Sequence, residues 1–250
     1  MKPLFQLRGV KKSFDGVEIL SGVDLEIRKR EVITIIGLSG SGKSVLLKML
    51  IGLIDPDEGE IIFDGENVTN FSEEDWFAVR KRVGISFQEP ALFDSMDVMD
   101  NVKYGLREMG SMSEKDMEAR VSESLTAVGL PGIEEMAPAS LSGGMKKRVG
   151  LARAVALHPE AVIYDEPTEG LDPINVTRVN RLMLTLRDAL DVTTIVATHN
   201  LKAAYETSDR FAFLHDGRIA WVGSSEEFVR QSIPAMQDFV DKAVFQLPKL

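Results

Sequence analysis

A chain of 250 residues, 44% of them hydrophobic, is long enough to bury one large α/β core or two small ones. It contains no cysteine, which excludes disulfides, iron–sulfur ligation and thiolate zinc sites and agrees with a reducing compartment. A net charge of −10 opposes a broad phosphate-backbone footprint, so no nucleic acid is expected as a partner, and the basic groups Lys11-Lys12, Arg80-Lys81-Arg82 and Lys146-Lys147-Arg148 are read as solvated faces. No apolar run reaches the roughly 18 residues of a membrane span and the N-terminus lacks the apolar core of a signal peptide; a cytoplasmic chain, soluble when alone, is expected.

Leu4 to Val10, Val17 to Leu20 and Val23 to Ile27 read as short strands of an antiparallel flank. Phe14 lies in a Ser-Phe-Asp-Gly turn, where an aromatic ring either stacks on an adenine or covers the sheet edge; the residues themselves leave both open. Val32 to Ile36 is a β-branched apolar run, hence a buried strand. It leads into Gly37-Leu38-Ser39-Gly40-Ser41-Gly42-Lys43-Ser44, and Val45 to Ile51 then form a packed helix that stops at Gly52. Strand, glycine-rich loop and helix is the context of a phosphate-binding loop. Its glycines bring several N–H groups toward one point, to which the helix start adds its positive dipole end. Lys43 is placed to reach the β- and γ-phosphates of a triphosphate, and the Ser44 hydroxyl to ligate a bridging Mg²⁺.

Asp55 to Gly59 is a turn, and Glu60 to Phe63 with Asp64-Gly65 begins a hairpin. Val83 to Phe87 is a further buried strand ending on Gln88. From Pro90 to about His158 the pattern is helical. Ser113 caps a helix carrying Met117, Val121, Leu125 and Val128, and another helix begins at Leu141-Ser142-Gly143-Gly144-Met145 with Val149, Leu151, Ala152, Val155 and Ala156 on its apolar side. Ala161 to Tyr164 is a strand running into Asp165-Glu166-Pro167. Asp172-Pro173 is an N-cap with proline at the first helical position, followed by Val176, Val179, Leu182, Met183 and Leu186 on one face. Thr193 to Ala197 is a buried strand ending on Thr198-His199, and Phe211 to Leu214, Asp216-Gly217 and Arg218 to Val222 form a closing hairpin. In the tail from Ser225, Met236, Phe239, Val240 and Val244 share one helical face, which buries either on the chain's own core or on a partner.

Four buried strands thus end on polar groups: the phosphate loop, Gln88, Asp165-Glu166 and His199. In an open parallel sheet ligands bind outside the carboxyl ends of the strands, so these groups are expected to converge on one crevice. Asp165 suits a Mg²⁺ that keeps part of its water shell. Glu166 beside it suits polarisation of an attacking water, a function worth about 10²–10⁴-fold in rate; Pro167 and the missing helical pattern argue against a helix cap. His199 is placed to contact the γ-phosphate and orient the water, and Gln88 to touch metal or water. His158 and His215 are given no chemistry.

The phosphate loop, Gln88, Leu141-Ser142-Gly143-Gly144-Met145, Asp165-Glu166, Gly170-Leu171-Asp172 and His199, in this order, resemble the motif set of the ATP-binding-cassette (ABC) ATPases from about Leu4 to Val222. The resemblance implies an α/β P-loop NTPase (RecA-like) core with an antiparallel β flank and an inserted helical subdomain: residues 1–90 and 159–224 as core and flank, 91–158 as subdomain, 225–250 as a helical tail. It also implies ATP and Mg²⁺ as ligands and a head-to-tail homodimer that sandwiches two ATPs. Each ATP would be held by one copy's phosphate loop and the other's Ser142, Gly143 and Gly144, with Asp172 at the seam. Phe14 becomes the adenine-stacking aromatic, and Gln88 to about Phe93 lies beside a transmembrane partner's coupling helix.

More narrowly, the loop with its following Val-Leu-Leu-Lys, Phe93-Asp94-Ser95-Met96, Ser142 to Val149 and Tyr164 to Thr168 resemble ATPase subunits of Mla/Mkl-type bacterial phospholipid transporters. That implies an ATPase at the cytoplasmic face of the inner membrane, held there by permease subunits that work with periplasmic lipid-binding components to maintain outer-membrane lipid asymmetry. Met145 stands where many ABC proteins have glutamine, and Glu169 precedes the Gly-Leu-Asp. The rival readings are the ATPase of another importer or exporter, and a soluble ABC ATPase of a cytoplasmic assembly machine.

Overall fold

A computed structural model describes residues 2–108, 112–230 and 233–242. They form two compact units, one of residues up to Val79 and from Thr193 onward, the other of Arg80–Val192.

In the first unit, β1 (Pro3–Phe14) and β2 (Val17–Arg28) make a long antiparallel ribbon. Asp15 and Gly16 join them with φ of 49° and 79°, left-handed at both positions as a two-residue hairpin requires. The separate strands expected at Val17–Leu20 and Val23–Ile27 are one strand, because shifts of register absorb the irregularity without ending the pairing. β4 (Glu58–Phe63) pairs with the other side of β1 and turns through Asp64-Gly65 into the short edge strand β5 (Glu66–Asn67), giving the order β2-β1-β4-β5.

β3 (Val32–Ile36) lies parallel to both β8 (Thr193–Thr198) and β9 (Arg210–His215), and β10 (Arg218–Ser224) closes β9 as an antiparallel edge. Every residue of β3 and β8 is buried, as expected of strands covered on both faces, which do not alternate in hydropathy. α1 (Lys43–Met49) ends in paired bonds from Leu53 N–H to the Lys48 carbonyl and Gly52 N–H to the Met49 carbonyl, with Gly52 left-handed at φ 64°, so the helix stops where the sequence places its end. α7 (Leu201–Thr207) is capped by the Asn200 side chain, and α8 (Ser225–Val229) by a reciprocal box of Ser224 and Glu227.

The tail is two helices rather than one, α8 being followed by α9 (Pro234–Lys242). Met236 and Phe239 of α9 are buried against Phe211, Phe213 and Phe228, with Val240 partly buried beside them, so this face covers the chain's own core. Val244 lies outside the described residues. Full burial of such side chains contributes about 1.5–3 kcal/mol each.

In the second unit, β6 (Val83–Ser86) runs parallel to β7 (Ala161–Asp165). α3 (Val98–Glu108), α4 (Glu114–Ala127) and α5 (Gly143–Val155) pack on one another, with Val102 and Leu106, Val121 and Leu125, and Val149 and Ala152 buried. A Cβ on Gly84 of β6 would lie 2.0 Å from the Ala154 carbonyl, so α5 and β6 approach at a distance only glycine allows. α6 (Pro173–Leu190) buries Val179, Met183 and Leu186, the expected face.

α2 (Glu73–Arg82) was not anticipated. Its stripe is thin, with only Trp76 and Val79 buried, but its start carries a readable cap: Ser72 Oγ accepts from Asp75 N–H at 3.2 Å and Asp75 Oδ2 accepts from Ser72 N–H at 3.1 Å. Three acids open the helix and Arg80, Lys81 and Arg82 close it, matching its dipole.

Candidate functional site

In the first unit, β3 delivers the chain directly into the loop Gly37–Ser44. At Gly37 a Cβ would lie 2.5 Å from the Leu214 carbonyl and 2.8 Å from Ser41 Oγ, so the loop closes tightly over the end of β9. Gly42, φ 98°, is the left-handed N-cap of α1 and supplies no side chain to its first N–H groups. Lys43, only 6% exposed, folds back over the loop, its Nζ donating to the carbonyls of Gly37 at 3.0 Å and Leu38 at 3.1 Å. These bonds hold the ammonium beside the loop amides, an arrangement suited to phosphate oxygens. Ser41 Oγ is buried without a hydrogen-bond partner, a further donor available to such oxygens. A cleft of about 350 Å³ belongs to the other unit; the one beside this loop, about 310 Å³, is bordered by Ser39, Gly40 and Ser41.

Ile36 is paired in register with Thr198, so the loop and the exposed His199 leave neighbouring parallel strands at the same end. Phe14 stands 42% exposed at the tip of the β1–β2 hairpin, with Lys12 Nζ 5.4 Å above its ring. It covers no core, and its free face suits stacking.

In the second unit, Asp165 ends β7 and Glu166 follows with φ 45°; they are 5% and 7% exposed. The turn continues with Glu169 N–H donating to the Glu166 carbonyl at 3.2 Å and reaches Asp172, which caps α6 by accepting from Ile174 and Asn175 N–H at 3.0 and 3.1 Å. The Asn175 side chain, then these backbone bonds, hold the Asp172 carboxyl below its ordinary range. Ser142 caps α5 by accepting from Met145 N–H at 3.3 Å, and both Ser142 and Gly143 are exposed, so this helix start faces outward. Gly144 lies beside the Asn175 side chain.

Gln88 follows β6, exposed, and its Nε2 donates to Glu169 Oε2 at 2.6 Å. The backbone after it is held by Arg153 of α5, which donates to the carbonyls of Pro90 at 2.6 Å and Ala91 at 2.8 Å. Lys147, also on α5, donates to the Glu169 carbonyl. Burial lowers the Lys147 ammonium, against the attraction of Glu169 and Glu166. All three basic groups expected as solvated faces are paired: Lys11 with Glu58 and Lys12 with Asp57, each at 2.7 Å, Arg82 with Glu160 in a bidentate pair at 2.6 and 3.0 Å, and Lys147 with the Glu169 carbonyl. Lys147 and Glu169 are the residues that sequence reasoning passed over. Each was visible singly, but only the fold brings them together.

A family model described as ABC transporter matches residues 20–169, more than half of the chain. The chain belongs to this family. The ABC chain is 41% identical to protein TRIGALACTOSYLDIACYLGLYCEROL 3, chloroplastic, of Arabidopsis thaliana, over 94% of its own length and 73% of that protein. To the intermembrane phospholipid transport system ATP-binding protein MlaF of Escherichia coli K12 it is 39% identical, over 95% of its length and 88% of the relative. Among solved structures, the dimeric post-hydrolysis state of the ATP-binding cassette MJ0796 bound to ADP and Pi superposes with a TM-score of 0.81 at 29% identity, covering 88% of this chain and 98% of that one. The ABC architecture inferred from motif order is thus the fold of the chain, and its activity is that of the family, ATP hydrolysis by the ATPase subunit of a transporter. No helix among the described residues is long and apolar enough to cross a membrane.

Proposed function

We propose that this ABC ATPase powers a phospholipid transporter from the cytoplasmic face of an inner membrane, attached through permease subunits that act with periplasmic lipid-binding components. The observation that carries the cargo is the 39% identity to the phospholipid-transport ATPase, which extends over 95% of this chain and 88% of that relative rather than over the shared nucleotide motifs alone. Two copies close head to tail around two ATPs, an assembly supported by the likeness to a dimeric cassette and by the outward-facing, doubly glycine-started α5.

In this reading Phe14 stacks on the adenine, the amides of Gly37 to Gly42 cradle the phosphates, and Lys43 turns from the loop carbonyls to the β- and γ-oxygens. Ser142, Gly143 and Gly144 bring the second copy's helix start to the γ-phosphate, while Asp172 holds the start of α6 at the dimer seam. The Ser44 hydroxyl, the Asp165 carboxylate and the Gln88 amide oxygen are hard oxygen donors and fit Mg²⁺. An ion held by these residues would supply positive charge against the β- and γ-phosphates. Glu166, whose burial keeps competing water away, accepts a proton from the attacking water, and His199 orients that water against the γ-phosphate. The exchange is balanced: one water oxygen bonds to phosphorus, the β–γ bridge breaks, and ADP leaves with the bridging oxygen.

The test is affinity purification of tagged Glu166→Gln protein from gently solubilised membranes, with mass spectrometry of copurifying proteins and lipids. A multi-pass permease with enriched phospholipid is expected. A permease carrying another substrate would replace the cargo, and recovery with soluble assembly proteins alone would sink the transport reading.

A further inference from the structure

Gln88 reaches the reaction through one amide, and which end of that amide is presented decides what it can do. An ionised carboxylate only accepts hydrogen bonds, so contact with Glu169 Oε2 at 2.6 Å commits the Gln88 side chain to present its NH₂ there. The opposite rotamer would set oxygen against carboxylate oxygen. Oε1, the atom of that amide able to ligate a metal or accept from water, is thereby left on the other side. Glu169 is itself fixed at three points: its N–H donates to the Glu166 carbonyl at 3.2 Å, its own carbonyl accepts from Lys147 Nζ, and its carboxylate holds Gln88. Lys147 and Arg153 project from the same helix, Arg153 gripping the carbonyls of Pro90 and Ala91 while Lys147 braces the turn that orients the side chain two residues earlier. Gln88, Gly143, Lys147, Glu169 and Leu171 border one cleft of about 350 Å³.

We propose that Glu169 is a positioning residue that fixes the amide of Gln88, braced from α5 by Lys147. The turn that carries Glu166 and the helix that begins at Ser142 are then tied to the Gln88 amide through Glu169. This rests on the roles given above to Gln88 and Glu166, but the orientation of the amide is measurable without nucleotide, so the two can fail separately.

The chain has five glutamines, few enough for the full-length protein labelled with [¹⁵N]glutamine to give resolved side-chain amide signals, that of Gln88 being assigned by its loss in Gln88→Asn. In nucleotide-free protein, one Gln88 amide proton is expected shifted downfield and exchanging more slowly with water than those of the exposed Gln237. Glu169→Ala returns it to free-amide values, and Glu169→Gln, which keeps an acceptor oxygen, retains most of the shift. In ATPase assays Glu169→Ala lowers kcat by about 10-fold with KM for ATP within about 2-fold, and Glu169→Gln keeps more than about half of kcat. Should the alanine variant misfold, Glu169→Leu repeats the test. A Gln88 amide unaltered by loss of the carboxylate overturns the proposal, as does a glutamine variant that falls as far as alanine in both readouts. A wild-type protein without ATPase activity would instead remove the functional reading and leave the amide result standing on its own.

Discussion

Two loops to which the proposed function assigns the chemistry are built by opposite means. Gly37–Gly42 contains three glycines, two serines and one leucine and works through its backbone, closed over the Leu214 carbonyl and opening α1 without a side-chain cap. Asp165–Asp172 contains four acids and works through side chains: two carboxylates buried at the strand end, Glu169 on Gln88, and Asp172 capping α6. A backbone site tolerates no change of shape, whereas a carboxylate site tolerates an isosteric change of charge while losing its function. In the proposed function the difference separates binding from turnover, and mutation can break it.

The largest effect is expected at Glu166. Glu166→Gln preserves shape and removes the proposed base, so turnover is expected to fall by about 10²–10⁴-fold while ATP binding is kept. Lys43→Ala removes the charge held over the backbone loop, and binding itself weakens by roughly 10–100-fold. Equilibrium binding of a fluorescent ATP analogue beside phosphate release distinguishes them. A Glu166→Gln protein that binds nucleotide no better than Lys43→Ala would erase the distinction between the loops.

A smaller effect sharpens the same contrast in stability. Gly37→Ala forces a Cβ to 2.5 Å from the backbone carbonyl of Leu214, and a loss of about 1–3 kcal/mol is expected by thermal unfolding. Gly170→Ala in the acidic loop meets nothing within 4 Å and adds only the strain of a left-handed alanine at φ 72°, about 1 kcal/mol. Equal losses at the two positions would mean that the phosphate loop relaxes and its backbone is less fixed than its packing indicates.

The same contrast explains what could be read from the sequence. A backbone site leaves its record in residue spacing, so Gly37, Gly40, Gly42 and Lys43 were legible at once, as were the side-chain caps Ser113 and Asp172, each of which acts on N–H groups two or three residues away. Gln88 and Glu169 are 81 residues apart, and neither carries a local mark of the other. α2 escaped because two buried side chains make no visible stripe and its cap uses aspartate where the familiar box has glutamate or glutamine. Bulges in β2 were mistaken for strand ends because a break in alternation looks the same in sequence whether pairing stops or slips by one residue.

The smallest expected effect is one of pH, and it falls on the acidic loop alone, since residues 37–42 contain no titratable side chain. The Asp172 carboxyl lies below its ordinary value of 3.8, chiefly through the Asn175 side chain and then through the backbone N–H of Asn175. A depressed native value means that the unfolded chain binds the proton more readily than the folded one does. The stabilisation is therefore complete above the ordinary value and is lost as pH falls through it toward the lower native value. Asp172→Asn keeps a capping oxygen but has nothing to titrate. Amide exchange at Ile174 and Asn175 should accelerate, beyond the trend of the other α6 amides, in wild type below about pH 4 but not in Asp172→Asn. If the two proteins show the same acid dependence, the cap does not depend on the charge of Asp172, and the start of α6 is set by Pro173 and the packing of Val179 and Met183 instead.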